Sequence, residues 1–522
     1  MPWTRREFVG TAAAALLAGC HREERTYPGA ILGAGAALGH RVRDGGFPAP
    51  METEEATVVI VGGGIAGLAA ARRLHQRGVR DFLLLELEPT VGGNAACGRN
   101  AVSAYPWGAH YLPLPNDEAT EVRTLLEELG LLTGHSTDGT PIYAEEALCA
   151  DPMERLFDCG RWQDGLVPML GISPQDREQY ARFAAETEAL RAARGSDGRP
   201  AFAIPLDLSS RDFLFLDQLT MAAWMDQRGY TSAPLRWHVD YSCRDDYGAG
   251  IQQVSAWAGL HYFSSRRGRA ANAGRDAVLT WPEGNGWLAA RMAEPVRDRL
   301  RTGQAVFAID PAEGTVDYFS PAENRSRRLR ARTVICCAPR FVAQRMVRGL
   351  AASPGLEYSP WMVANVTLSE LPAGRGAPLA WDNVMHESRS LGYVVATHQN
   401  LHPVPHETVL THYWPLDEGA PTEERKSALA RSHAEWCHLI VADLRRAHPE
   451  VEAYIRHIDV WLWGHGMIRP VPGFISGTVR AAMQQPFGRV HFAHSDQSGI
   501  SIFEEAYTRG VAAAEAVIPK LS

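Results

Sequence analysis

The chain has no surplus of positive charge, no paired-cysteine motif and no apolar run long enough to cross a bilayer. Its 52 basic against 60 acidic residues give a formal charge of −8 over 522 residues, which argues against a nucleic-acid partner. The eight cysteines are scattered, with neither CxxC nor paired zinc spacing. Cys336 and Cys337 adjoin within an apolar run and read as buried core. His398, His402, His406 and His412 crowd one stretch, but Pro403 and Pro405 forbid the helix that a metal site at that spacing would use. We therefore expect no metal. The apolar run near the start, Phe8–Ala18, falls short of the roughly 20 residues a membrane span needs.

What is present is an ordinary globular composition, 45% hydrophobic and 21% charged, with length for two or three domains. Arg5 and Arg6 precede the short apolar run, and Leu17-Ala18-Gly19-Cys20 follows it. Twin arginines, an apolar core and a lipobox-like end in register read as an export signal, with Cys20 as the lipidated first residue of the mature chain. We expect residues 1–19 to be a twin-arginine signal peptide and 20–55 a tether. The protein would then be a periplasmic, membrane-anchored lipoprotein, exported folded with its cofactor aboard. Gly33 to Gly39 imitates a nucleotide fingerprint, but Leu38 stands where the third glycine belongs, so a Gly/Ala turn or short helix is expected.

The informative stretch is Thr57 to Asn94, TVVIVGGGIAGLAAARRLHQRGVRDFLLLELEPTVGGN. It reads strand, glycine turn, helix, strand, acid, which is what a bound dinucleotide requires. Gly62 permits the tight turn, Gly64 lets backbone approach a pyrophosphate, and Gly67 lets helix pack on strand. The helix N-terminus at Ile65 and Ala66 offers free N–H groups to phosphate. Glu86 stands where an acid would hydrogen-bond a ribose hydroxyl. Gly92 and Gly93 allow a second close approach. Elsewhere, Glu118–Leu132, Asp176–Arg194 and Lys426–Ala447 show amphipathic helical patterns, and Asp310–Arg332 reads as a β-meander.

With its acid, short gap and Gly-Gly at Glu86 to Gly93, the chain resembles the flavin-containing amine oxidase superfamily, together with phytoene desaturase-like and protoporphyrinogen oxidase-like flavoproteins. Asn94 replaces the family's usual arginine. The resemblance implies an α/β fold: a discontinuous Rossmann-like FAD-binding domain (residues 56–112, 276–345 and 456–522) and an α+β substrate or cap domain (113–275, helical, and 346–455). It implies FAD, and the lack of a cysteine where some monoamine oxidases attach the ring implies a noncovalent one. It carries over Val306 beside the adenine, Asp496 toward the ribityl chain or pyrophosphate, and Phe503 at a helix end facing the flavin. Glu505 departs from a family glycine, and Ile502 from a caging tyrosine.

The substrate side is marked by fewer signals. Gly108-Ala109-His110-Tyr111 resembles a segment passing near the flavin ring, and Trp463 and His465 occupy a region that faces the flavin in relatives. Asp245 and Asp246 lie among aromatics and would hold a cationic amine by charge and cation–π contact. These five residues, His110, Asp245, Asp246, Trp463 and His465, are the catalytic candidates. The resemblance implies hydride transfer from the carbon beside an amine to flavin N5, giving an imine that hydrolyses, with O2 or a membrane carrier as electron acceptor. The turn at Trp281–Gly286 resembles that of polyamine dehydrogenases, which suggests a polyamine. Many relatives use a lysine–water pair, but the only lysines here, Lys426 and Lys520, lie outside the expected site. Two further readings stay open: a flavin desaturase or isomerase of an apolar substrate, and a non-catalytic FAD-binding assembly factor.

Overall fold

The computed structural model describes residues 25–33, 35–400 and 406–521. The twin arginines, Cys20 and His402 lie outside the described residues. The elements used below are, along the chain, β1 (Thr53–Val61), α1 (Ile65–Gln76), β2 (Phe82–Leu85), α2 (Pro174–Ala192), α3 (Ala233–Tyr247), α4 (Ala256–Ser265), β3 (Ala305–Asp310), β4 (Thr315–Ser320), β5 (Arg325–Cys336), β6 (Tyr358–Leu368), β7 (Thr408–Pro415), β8 (Ile455–Ile468), β9 (Val490–Phe492) and α5 (Phe503–Val517).

One sheet gathers three distant parts of the chain. β1 lies parallel to β2 on one side and to β5 on the other, and β9 joins β5 in parallel. The first half of β5 pairs antiparallel with β4, and β4 with β3, which makes the expected meander. Val58, Val59 and Ile60 are wholly buried, as a parallel strand covered on both faces must be. α5 packs on α1 at its own glycine. A Cβ at Gly510 would lie 2.1 Å from the Ala66 carbonyl oxygen, so only glycine allows this approach.

The second sheet has eight strands in the order Ile31–Gly33, β8, β6, β7, Tyr393–Val395, Asp382–Met385, Glu154–Asp158, Arg161–Asp164. α2, α3 and α4 stand beside it around a separate apolar core that includes Phe183, Trp224, Tyr230 and Trp257. The fold is mixed α/β, with helices and strands both substantial.

Several local expectations need correcting. The region from Asp117 to Tyr230 is not simply helical: Glu154–Asp164 is a hairpin of the second sheet. Cys159 and Gly160 both take positive φ in its turn, the two-residue geometry that matches strand twist. The partner of Glu154–Asp158, Asp382–Met385, is more than 200 positions away, so no local pattern announces it. Lys426–Ala447 is not one helix. Pro421–Ala430 ends before Ser432, which starts His433–Leu444 with a reciprocal capping box to Glu435. Residues 25–33 and 35–47 are no loose tether, since they carry the strand Ile31–Gly33 and a helix, Ala36–Asp44.

Candidate active site

The glycine turn is built as its sequence requires. Gly62 has φ of 104°, and a Cβ at Gly67 would sit 1.9 Å from the Gly62 carbonyl oxygen. No side chain caps α1 at Gly64, so its first N–H groups face the crevice unpartnered. Ile65 and Ala66, the first helical residues, are buried. Gly92 donates its N–H to the Gly63 carbonyl at 2.9 Å, and a Cβ on Gly93 would come within 3.1 Å of Gly64 Cα. Two backbones thus line a groove that side chains would fill, and the residues fit the pyrophosphate of a dinucleotide.

Around that groove the expected contacts are already tied to protein groups. Glu86 is buried and accepts from the N–H groups of Gly63 and Glu88. Burial raises its proton affinity against those two donors. Asn94 donates to the Gly466 carbonyl, tying the Gly-Gly loop to β8. Asp496 accepts from the Arg340 N–H at 2.7 Å and from the Tyr358 hydroxyl at 2.6 Å. Burial works to raise its pKa, but His494 and these donors hold it below the ordinary carboxylate range. Val306 lies buried on β3, and Phe503 is buried in the first turn of α5.

A second constellation lies on the substrate side. His110 stacks on Tyr413 at 4.5 Å and tilts against Trp381 at 5.4 Å. Beside it, the Tyr111 hydroxyl donates to Asp245 at 3.4 Å. Asp246 pairs with Arg266 at 2.7 Å, and that guanidinium lies 4.4 Å over the Tyr262 ring. Across from them, Asp382 and Glu154 are register partners on adjacent strands. Asp245, Glu154 and Asp382 each keep accessible surface although each is pushed upward in pKa chiefly by burial. These desolvated side chains keep some accessible surface and lie close enough for their charges to act on one another.

The electrostatics of that cluster are one-sided. Burial and the neighbouring Asp246 push Asp245 up to about 7. Burial, then Asp276, push Glu154 up to about 7. Burial, Glu154 and Asp245 raise Asp382 well above its usual range. Glu504, from the first turn of α5, is raised by burial to about 7 and leaves one oxygen unpartnered. Among the described residues the one guanidinium paired into this group is Arg266. Carboxylates beside tyrosines and a tryptophan have the chemistry that suits a cation.

The profile of flavin containing amine oxidoreductases matches residues 65–518. The chain belongs to this family. It is a flavin-dependent oxidoreductase. Among curated proteins, oxidoreductase PigB of Serratia sp. (strain ATCC 39006) is 24% identical over 293 residues, covering 52% of this chain and 42% of that protein. The match thus spans under half of that relative. Among solved structures, putrescine oxidase bound to putrescine superposes with a TM-score of 0.65 at 16% identity, covering 90% of this chain and all of that one. Cyclohexylamine oxidase from Brevibacterium oxydans IH-35A gives 0.63 at 19%, with the same coverage. A conjugated-linoleic-acid-producing fatty acid isomerase from P. acnes gives 0.61 at 14%, covering 89% and 98%. At such identities these likenesses show the fold alone.

Within this flavoprotein the structure brings His110, Asp245 and Asp246 into one cluster around Tyr111 and Arg266. It places the other two candidates elsewhere. Trp463 donates its indole N–H to the Trp107 carbonyl within an aromatic stack that includes Trp461. His465 is exposed and stacks on Phe341 at 4.1 Å, in a separate cleft of about 360 Å³ that it shares with Arg425 and Tyr358. Asp245 and Asp246 lie in the last turn of α3. Glu154, Tyr241, Asp382, Tyr413 and Glu504 escaped sequence reasoning. They sit on five separate elements with no shared motif. Among the described residues, no group of three or more His, Cys, Asp or Glu is set to hold a metal ion. His398 contacts the Ala150 carbonyl, and His412 is buried against Asp443.

Proposed function

We propose that this flavoprotein oxidises a small amine, held as a cation among Asp245, Glu154 and Asp382, with FAD bound noncovalently in the glycine-lined crevice. The observation that carries the reading is the largely desolvated cluster of carboxylates beside Tyr111, Tyr413 and Trp381, with Tyr241 hydrogen-bonded to Asp382. Bound flavin would supply the two-electron chemistry, taking hydride from the carbon beside nitrogen to leave an imine that water hydrolyses. The chain's own task is to bind the ammonium, orient it, and hold its proton while the neutral amine reacts. Carboxyl groups tuned to about 7, as Asp245 and Glu154 are, suit a proton acceptor at neutral pH.

Several acids for one amine favour a substrate with more than one positive charge, which supports a polyamine. An apolar chain would leave these carboxylates without a partner, which weighs against a desaturase or isomerase. The acceptor of the electrons is O2 or a membrane carrier. Cys20 would carry the lipid that anchors the protein at the periplasmic face of a membrane.

The test is anaerobic rapid mixing of FAD-loaded protein with monoamines, diamines and longer polyamines. Loss of the oxidised flavin band, fastest with the polyamines, is the expected result. No bleaching with any amine would overturn the reading in favour of a desaturase or a non-catalytic role. Release of Cys20→Ser protein from the membrane fraction is the corresponding test of the anchor, and unchanged membrane partition would sink it.

A further inference from the structure

Residues 27–33 and 35–47 precede the glycine fingerprint, yet they are bonded to both halves of the molecule. At the upstream end the segment belongs to the substrate-domain sheet. The Pro28 and Ala30 carbonyls accept from the N–H groups of Ile458 and Val460, each at 2.9 Å. Ile31, Leu32 and Gly33 then pair in parallel with Val460, Trp461 and Leu462 of β8. Gly29 has φ of 137°, and a Cβ there would lie 1.8 Å from the Ile458 carbonyl oxygen. The docking admits no side chain at that point.

At the downstream end the segment belongs to the cofactor sheet. Phe47 stacks on Phe307 of β3 at 4.6 Å with an interplanar angle of 11°. Arg41 lies over both Phe47 and Phe319 of β4, at 4.4 and 4.5 Å. Val42 packs against the core that holds Val306 and Met346.

Between the two ends, the Gly35 N–H donates to the Glu88 carboxylate at 2.5 Å. Glu88 is two residues beyond Glu86 and donates its own N–H to the Glu86 carboxylate at 2.8 Å. The crossing therefore occurs at the carboxyl ends of the parallel strands, where such sheets bind nucleotides. No acid of the Ala36–Asp44 helix lies in its first turn and none of its residues is buried, so the helix owes its place to these anchors rather than to a core of its own.

We propose that residues 27–33 and 35–47 act as a strap that joins the substrate-domain sheet to the cofactor sheet across the adenosine end of the crevice, with Glu88 as its latch, and that the strap retains the flavin. The inference rests on the flavin occupying that crevice and not on which substrate is oxidised. Release of the cofactor then requires the strap to lift, and Glu88, Arg41 and Phe47 are positioning residues that act on it without touching the reacting atoms.

The test uses the flavin-loaded protein and follows flavin fluorescence as cofactor dissociates. Glu88→Ala and, separately, Phe47→Ala should release flavin about tenfold faster, because loss of retention appears in the off-rate. Glu88→Gln keeps an acceptor for the Gly35 N–H and should release flavin at nearly the parent rate. Circular dichroism checks each fold, and flavin reduced chemically by dithionite provides a spectrum independent of any amine. In hydrogen exchange, the 27–47 peptide should lose protection in Glu88→Ala and keep it in Glu88→Gln. Parent-like release in both alanine variants, or equal release from Glu88→Ala and Glu88→Gln, overturns the strap. Neither result would bear on amine oxidation, which is read from bleaching.

Discussion

Asp382 and Glu154 stand opposite each other on neighbouring parallel strands, and neither forms an ion pair among the described residues. Like charges in that relation destabilise a sheet by about 0.2–1 kcal/mol. The arrangement is intelligible if a cation supplied from outside completes it. Above the pH at which both carboxyls ionise, Asp382→Asn should therefore raise the stability of the ligand-free protein by up to about 1 kcal/mol. The same variant should weaken polyamine binding by one charged contact, about 1.5–3 kcal/mol. Denaturant melts and equilibrium titration with a polyamine measure the two effects, which carry opposite signs.

The raised acids predict a pH dependence. Asp245 and Glu154 titrate near 7 in the folded protein, above their ordinary carboxylate values in the unfolded chain. The native state then holds more protons than the unfolded one between about pH 4 and pH 7, so stability falls as pH rises through that window. Affinity for a cationic amine moves the other way, strengthening as the carboxyls ionise through about 7. Thermal melts of ligand-free protein between about pH 5 and pH 8 should show the decline, and Asp245→Asn should flatten it.

Arg266 neutralises Asp246, which is 7% exposed. Arg266→Gln would leave that carboxylate buried without its counter-charge, a loss of about 3–5 kcal/mol when one partner of a buried pair is removed. The double variant Arg266→Gln with Asp246→Asn should recover most of the stability. Chemical denaturation of the four proteins in the cycle measures the coupling.

The crevice and its helical wall make separable demands on glycine. Gly67→Ala forces a methyl onto the Gly62 carbonyl and should lower the flavin-to-protein absorbance ratio of the purified enzyme. Gly510→Ala pushes α5 away from α1 at the Ala66 carbonyl. It should destabilise the fold by about 1–3 kcal/mol as overpacking does, read by denaturant melts.

Tyr358 reports on the far end of the cofactor loops. Its hydroxyl is one of two donors to the buried Asp496 carboxylate. Tyr358→Phe should cost about 1.5–3 kcal/mol, the range for a hydrogen bond to a charged group. Because Asp496 would then be less well held as an anion, its pKa should rise. Acid unfolding followed by circular dichroism should begin at higher pH than in the parent.

The nucleotide end of this protein was legible because its signal is contiguous. A strand, three glycines, a helix and a second strand are formed by residues 57 to 86, and each glycine answers a local steric demand, as the 1.9 Å clash at Gly67 makes plain. The meander of β3 to β5 and the final helix α5 were readable for the same reason, since period and turn residues lie side by side in the chain. Helix boundaries suffered where capping chemistry intervenes: Ser432 and Glu435 start a new helix inside one continuous amphipathic pattern.

By itself, then, the sequence determined a dinucleotide crevice, which follows from local backbone geometry, and its motifs resembled those of the flavoprotein family. Tertiary structure alone decided which side chains meet in the acidic cluster. Glu154 meets Asp382 only through strand register, Asp245 meets Tyr111 only through packing of α3, and His465 turns away to stack on Phe341. Burial, which shifts the acids toward neutrality, is a property of the assembled core. The stretch before the fingerprint shows the same division. Its composition suggested a tether, and its pairing with β8 and latch to Glu88 come from partners hundreds of residues away and 53 residues away.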